Sequence, residues 1–251
     1  MKNLEFNKPI FMSSAYRRIP NYADLEKIGA GHDGVVYRYG DLVFKLLKYD
    51  IHERKAKDLM TFEKATYFIH NLRLNRITQP IDILLDSDGM YTGYVMRYFD
   101  DVTKDPTSPF YQAAGKIRMG TLDESVEALR EDVKALSSAK VIMEDLNRGS
   151  YIYTADGLNM CDMDKFRVVQ GNRVPSDLNK RNLNFFVAKA LYYEMEKSGQ
   201  FSKEELKQLL HWVKKSANSS NFLSVFSADC KSDPNYPMGE YAKEKGKMLI
   251  R

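Results

Sequence analysis

Between residues 22 and 98 the apolar positions fall in short β-branched and aromatic runs set off by turn residues, and beyond residue 120 they recur every three or four positions. The first pattern predicts strands and the second predicts amphipathic helices. Residues 22–28 read as a first strand. Residues 35–39 and 42–47 flank Gly40-Asp41, a two-residue hairpin signal. From His52 to about Leu72, Leu59, Phe62, Thr66 and Ile69 repeat at helical spacing among Ala and Lys, which predicts a helix. Residues 81–85 and 90–98 read as two more strands across the turn Asp86-Ser87-Asp88-Gly89. The order up to this point is β-β-β-α-β-β.

The second half reads differently. Residues 100–120 hold two Pro and two Gly and read as a loop with a short helix in it. Thr121 with Glu124 three positions on is a capping box, followed by a stripe of Leu122, Val126, Leu129, Val133 and Leu136. Tyr151-Ile152-Tyr153 and Leu158-Asn159-Met160 predict two short strands joined by Ala155-Asp156-Gly157. Residues 177–197 predict a long helix with Leu183, Phe186, Val187, Ala190 and Leu191 as its apolar stripe, and Ser202 with Glu205 caps another, ending near Ser216. The first twenty residues read as a lead-in ending in Arg17-Arg18-Ile19-Pro20, and the tail after Phe226 as polar and loosely ordered at its end. The expectation is an α+β chain with residues 1–98 as a small sheet lobe and 99–251 as a mainly helical lobe.

Composition narrows the class. At 251 residues, 43% hydrophobic and 29% charged, the chain can bury a real core and reads as a soluble globular protein. A net charge of +4 is too diffuse to predict nucleic acid as a partner. Cys161 and Cys230 form no disulfide framework or metal spacing, which suits a reducing cytoplasm. No run of 18 apolar residues occurs, and MKNLEFNKPIFMSSAYRR lacks an apolar h-region, so neither a membrane span nor a signal peptide is expected.

Gly29, Gly31 and Gly34 are spaced G-x-G-x-x-G, with Val36 two residues after the last. A dinucleotide fold requires a helix next, so that its N-terminus faces the pyrophosphate. Strand residues and a hairpin turn follow here instead, which argues against a nicotinamide-type oxidoreductase. Lys45 stands in the otherwise apolar run VFKLL, where a lysine needs a solvated face or a partner. Asp145 follows the amphipathic stretch, and Asp162 follows seventeen residues later in CDMDKF.

Together these residues resemble the protein kinase family. The glycines and Lys45 resemble its glycine-rich loop and strand-three lysine, and Asp145-Leu146 in VIMEDLNRGSYIY resembles its catalytic loop. Asp162-Met163-Asp164 resembles its metal-binding Asp-Phe-Gly, Val95 to Phe99 its hinge, and NFFVAKALYYEM its helix F, with Asn184 where the family usually has Asp. The resemblance implies a bilobal fold binding ATP with Mg2+ or Mn2+ and moving the γ-phosphate to a hydroxyl of a protein or small molecule. It implies that Lys45 contacts the phosphates and is held by a helix glutamate, Glu63 in preference to Glu53. It gives Asp145 the acceptor hydroxyl, Asp162 the metal with Ser150 or Asp164, and Met96, Arg97 and Phe99 the adenine. The sequence departs from the family at Met143-Glu144 for His-Arg, Asn147 for Lys, Ser150 for Asn, and in lacking Ala-Pro-Glu. Those departures leave a second expectation open, a catalytically weak pseudokinase that binds nucleotide or acts as a scaffold.

Overall fold

The computed structural model describes residues 9–13, 17–19, 24–31, 33–47, 60–99, 117–171 and 175–250. It is an α+β protein whose chain divides into two compact units. The first holds the residues up to Leu74 together with Thr78–Phe99 and Asp162–Val168. The second holds Asn75–Ile77 and, beyond Phe99, the rest of the chain.

The first unit is built on one antiparallel sheet. Its strands are β1 (Ile10–Met12), β2 (Arg17–Arg18), β3 (Glu26–Ala30), β4 (Gly34–Tyr39), β5 (Leu42–Leu47), β6 (Pro80–Asp86) and β7 (Tyr91–Arg97), in the order β2-β1-β6-β7-β5-β4-β3. The β4–β5 hairpin closes with Tyr39 opposite Leu42, and Gly40 takes φ 58°, a conformation that costs glycine nothing. Two expectations shift. The stretch before residue 20 contributes β1 and β2, because Ile10 and Ile19 are apolar enough to be buried and β1 covers the edge of β6. The strand expected at 22–28 runs from Glu26 to Ala30, with Leu25 buried just before it.

Period-two alternation sorts the sheet into two faces. Ile10, Ile19, Leu25, Phe44, Leu46, Leu84 and Val95 form a core on one face. Lys45 is the cross-strand partner of both Val36 and Tyr94, so the three share the other. Helix α1 (Phe62–Asn71) packs against β6, capped by the Thr61 hydroxyl, which accepts the Lys64 N–H at 3.2 Å. Its buried residues are Ala65 and Phe68, followed by Leu72 at the C-cap, in place of the expected stripe through Phe62, Thr66 and Ile69. Phe62 is 43% exposed because it opens the helix and sits edge-on against Tyr91. Residues 52–59, including Leu59 and Glu53, lie outside the described residues, as does the 100–116 loop.

The second unit is mainly helical: α2 (Met119–Ser138), α3 (Ser176–Lys197), α4 (Lys203–Ala217), α5 (Phe222–Ser232) and α6 (Met238–Leu249), with the hairpin β8 (Tyr151–Thr154) and β9 (Gly157–Met160). The α2 stripe is buried as its spacing predicts. Its start is not the expected capping box at Thr121. The helix begins two residues earlier, and its first free N–H groups, on Met119 and Gly120, donate to the Tyr236 and Pro234 carbonyls at 2.9 and 2.8 Å. Helix α3 is buried nearly all round and packs against α2, α4 and α6, the signature of a central helix. Both halves of the Ser202–Glu205 capping box are present on α4. The tail is helical, contrary to its polar look, because Met238, Ala242 and Gly246 line one face at i, i+4, i+8. A side chain on Gly246 would meet the Phe201 ring at 2.6 Å, so that glycine lets α6 close on its neighbour. Among the described residues no helix is long and apolar enough to cross a membrane.

Candidate functional site

Lys45 is the centre of a polar cluster in the first unit. Its Nζ lies 3.0 Å from Asp162 Oδ1 and also donates to Asp164 Oδ2. Asp164 accepts through its other oxygen from the Tyr94 hydroxyl, and its backbone carbonyl accepts from Lys64 Nζ. The cause is local. Tyr94 pairs with Lys45 across the sheet, and Met163 and Phe166, both buried, fix the 3-10 turn Met163–Lys165 that presents Asp164. Gly93 is required behind the lysine, since a Cβ there would lie 2.1 Å from the Lys45 carbonyl oxygen.

Burial opposes charge on this lysine, but Asp164 and Asp162 outweigh it and hold its pKa above the ordinary lysine value. Burial, reinforced by Asp164, pushes the Tyr94 phenol up, so it serves as a donor. Burial and the neighbouring Asp162 charge also raise Asp164, against the pull of Lys45. The helix glutamate expected to hold Lys45 does not. Glu63 is exposed in the first turn of α1, where an acid favours the helix dipole, and the inward-facing polar residue of that turn is Lys64.

The three glycines sit where β3 turns into β4. The Gly31 N–H donates to the Gly34 carbonyl at 2.9 Å, and Gly29 stands opposite Val36. Only Gly34 is demanded by packing, since its Cβ would lie 2.5 Å from the Leu46 carbonyl oxygen. Gly29 and Gly31 have room for a side chain. Of the residues expected near the adenine, Met96 is buried in β7 opposite Val43, Arg97 ends the strand exposed, and Phe99 follows half-buried.

In the second unit the segment after Ile142 is pinned to α3. Asn179, fully buried, accepts the Met143 N–H at 2.9 Å and donates to the Val141 carbonyl and the Ser137 hydroxyl. Asn182 donates to the Met143 carbonyl. The anchor is therefore Asn179, five residues before the Asn184 singled out from the helix-F resemblance. Asp145 follows at φ 56°, and Asp162 in the first unit has φ 69°. Left-handed backbone is uncommon outside glycine, Asp tolerates it better than most, and such strain concentrates at functional positions. The Ser150 hydroxyl donates to the Asp145 carbonyl at 3.2 Å, so it braces the loop.

Lys189 of α3 reaches the same loop, its Nζ 3.4 Å from the Leu146 carbonyl oxygen. Burial and Arg148 lower its pKa, and Asp145 opposes that shift. Lys189, Lys64, Tyr94 and Asn179 were missed by sequence reasoning. A lysine inside an apolar helix run is the one signal that would have flagged Lys189, since VAKALYY places it among residues that are otherwise buried.

Among the described residues no group of three or more His, Cys, Asp or Glu forms a metal-binding cluster. Asp164 is committed on both oxygens, to Lys45 and Tyr94, and is 2% exposed. Asp162, at 39% exposure, is the carboxylate of this pair open to a ligand. One such carboxylate fits Mg2+, which characteristically keeps waters and takes its remaining ligands from phosphate. No protein-family model matches the chain, and no curated protein matches it either.

Proposed function

We propose that this chain is an ATP-dependent phosphotransferase of the bilobal, protein kinase-like kind, acting on a hydroxyl acceptor. The observation that carries the reading is Lys45: a protonated lysine on the strand behind a glycine turn, clasped by the two carboxylates of Asp162-Met163-Asp164. In this reading Gly29, Gly31 and Gly34 cover the phosphates, and Lys45 bridges the α- and β-phosphates. Val36 and Met96 contact the adenine, whose edge meets the backbones of Arg97 and Phe99. Asp164, engaged on both oxygens, positions Lys45. Asp162 would hold Mg2+, which supplies charge neutralisation between the phosphates when bound. Asp145 orients the acceptor hydroxyl and receives its proton as the new O–P bond forms and the bond to ADP breaks. Lys189 lies where a cation would offset charge gathering near Asp145, in place of the loop lysine that Asn147 replaces. Glu63 has no part in it.

The test is transfer of radiolabelled γ-phosphate with Mg2+ or Mn2+ to protein and small-molecule hydroxyl acceptors. Wild type should transfer, and Asp145→Ala and Lys45→Met should not. Equal transfer by all three would overturn the reading. One observation favours the alternative of nucleotide binding without turnover: Ser150 and Asp164, the two candidates for a second metal contact, are both spent on internal hydrogen bonds. In that case ATP with Mg2+ raises the melting temperature and no phosphate moves.

A further inference from the structure

A cavity of about 440 Å³ opens within the second unit between α2, α3 and the start of α5. That volume falls within the range of small-molecule sites. Its floor is apolar, from Val133, Leu183 and Leu223, all buried. Its rim is cationic and hydroxylated. Arg130, Lys134 and Lys180 stand around it with serines from all three elements, and no carboxylate is among the lining residues. On the same helix, Glu127 and Glu131 pair with Arg130 at 3.2 Å and Lys134 at 2.6 Å as surface i,i+3 partners, a weak arrangement that an incoming anion can share.

Asn184 adds an independent mark. It lines the same cavity and is 2% exposed. Its Nδ2 donates to the Ser219 carbonyl at 2.8 Å and the Ala217 carbonyl at 3.4 Å. Those two acceptors fix the amide's orientation, since a flip would set its oxygen against carbonyls. Oδ1 is then left buried with no donor among the described residues. The buried Nε of Arg130 also lacks an acceptor among the described residues. Buried polar groups are ordinarily paired, so an unpaired acceptor inside and an unpaired donor nearer the rim describe what is missing.

We propose that this cavity binds a small organic anion: an apolar or aromatic body on the Val133–Leu183–Leu223 floor, an N–H or O–H donated to Asn184, and a negative group held by Arg130, Lys134 and Lys180. The apolar floor disfavours a bare inorganic ion, and the cationic rim disfavours a neutral lipid-like body. The site shares no residue with the cluster around Lys45 or the loop of Asp145, and its existence does not depend on phosphoryl transfer.

The probe is 8-anilinonaphthalene-1-sulfonate, which has a sulfonate, an aromatic body and one N–H, titrated into the full chain by fluorescence. One saturable equivalent is expected, weakening with salt. Lys134→Ala/Lys180→Ala should weaken it by about tenfold, the worth of two rim charges. Ser224→Trp, which fills the mouth, should abolish it. Neutral N-phenyl-1-naphthylamine should bind weakly and ignore the lysine changes. The lysine pair is on the surface, so its variant keeps the test sound even if the Trp variant misfolds. Sulfonate binding that survives the double lysine change undiminished, or that persists in a folded Ser224→Trp variant, would overturn the proposal.

Discussion

Lys45 and Tyr94 stand directly opposite each other on neighbouring strands, and both donate to the carboxylate of Asp164. The lysine side chain is 12% exposed and the carboxylate 2%, so neither charge is left to water. Removing one member of such a pair strands the other, whereas replacing both by apolar groups can be neutral. Asp164→Asn is therefore expected to lower unfolding free energy by about 3 kcal/mol. Adding Lys45→Met to it should recover most of the loss. A double-mutant cycle by urea denaturation checks this: additive losses would mean that the two residues do not act as a pair.

The same pair sets an alkaline limit. The folded pKa of Lys45 is raised, so the protein keeps a proton that the unfolded chain releases near the ordinary lysine value of about 10.4. The stabilisation is complete below that pH and is lost as pH rises through the folded value. Tyr94 and Tyr91, both raised chiefly by burial, act with the same sign, because their phenols ionise more readily once unfolded. Melting temperature should fall above about pH 10. The fall should be shallower in Lys45→Met, and an identical slope in that variant would exclude Lys45 as a contributor.

Short-range chemistry was the legible part of this chain. Gly40-Asp41 gave away its hairpin because a two-residue turn demands a positive φ, and Ser202 with Glu205 gave away a helix start because both halves of the cap lie within four residues. Long-range partners were not legible. Thr121 looked like a cap only because the carbonyls of Pro234 and Tyr236, more than a hundred residues away, could not be seen from the sequence. Glu63 looked like the partner of Lys45 because it lies on the next helix. The choice between Glu63 and Lys64 as the inward residue depends on where α1 begins, a matter of one residue. The polar tail hid α6 because, after Met238, its buried stripe is made of small residues, Ala242 and Gly246, which hydropathy scarcely registers.

Lys189 supplies a third test, resting on the proposed activity. If it offsets transition-state charge near Asp145, Lys189→Ala should lower kcat by about a hundredfold, the usual cost of one such donor. KM for ATP should stay put, and Lys189→Arg should rescue part of the rate. Nζ packs 5.1 Å from the Phe185 ring centroid and 5.6 Å from that of Tyr193, so a purely structural role would instead show in the melting temperature.

The two thiols should separate cleanly. Burial, helped by Asp123 and Asp229, pushes the Cys230 pKa up to about 12, which leaves almost no thiolate at neutral pH. Cys161 is partly exposed, with its thiol on the Gly149 carbonyl at 3.1 Å. Ellman's reagent should therefore titrate one thiol in the folded protein and a second only in denaturant. Rapid reaction of two thiols in buffer would contradict the packing of α5.

The last prediction concerns Asp132, which no motif marks. Its carboxylate, 2% exposed on α2, accepts the backbone N–H groups of Asn75, Arg76 and Ile77, the closest at 2.6 Å. Burial raises its pKa, and those three amides together with the Arg76 charge pull against that rise. Three successive N–H groups pointing one way need an acceptor with more than one lone pair. Asp132→Asn sets a donor amide against them, and Asp132→Ala removes the acceptor altogether. Either change leaves these N–H groups, of which that of Ile77 is buried, short of an acceptor, at roughly 1–3 kcal/mol for a buried group left unpaired. A loss of about 3 kcal/mol in urea is expected for Asp132→Ala, together with faster hydrogen exchange confined to residues 75–77. Unchanged exchange at those three amides would mean that the carboxylate does not hold the segment in solution.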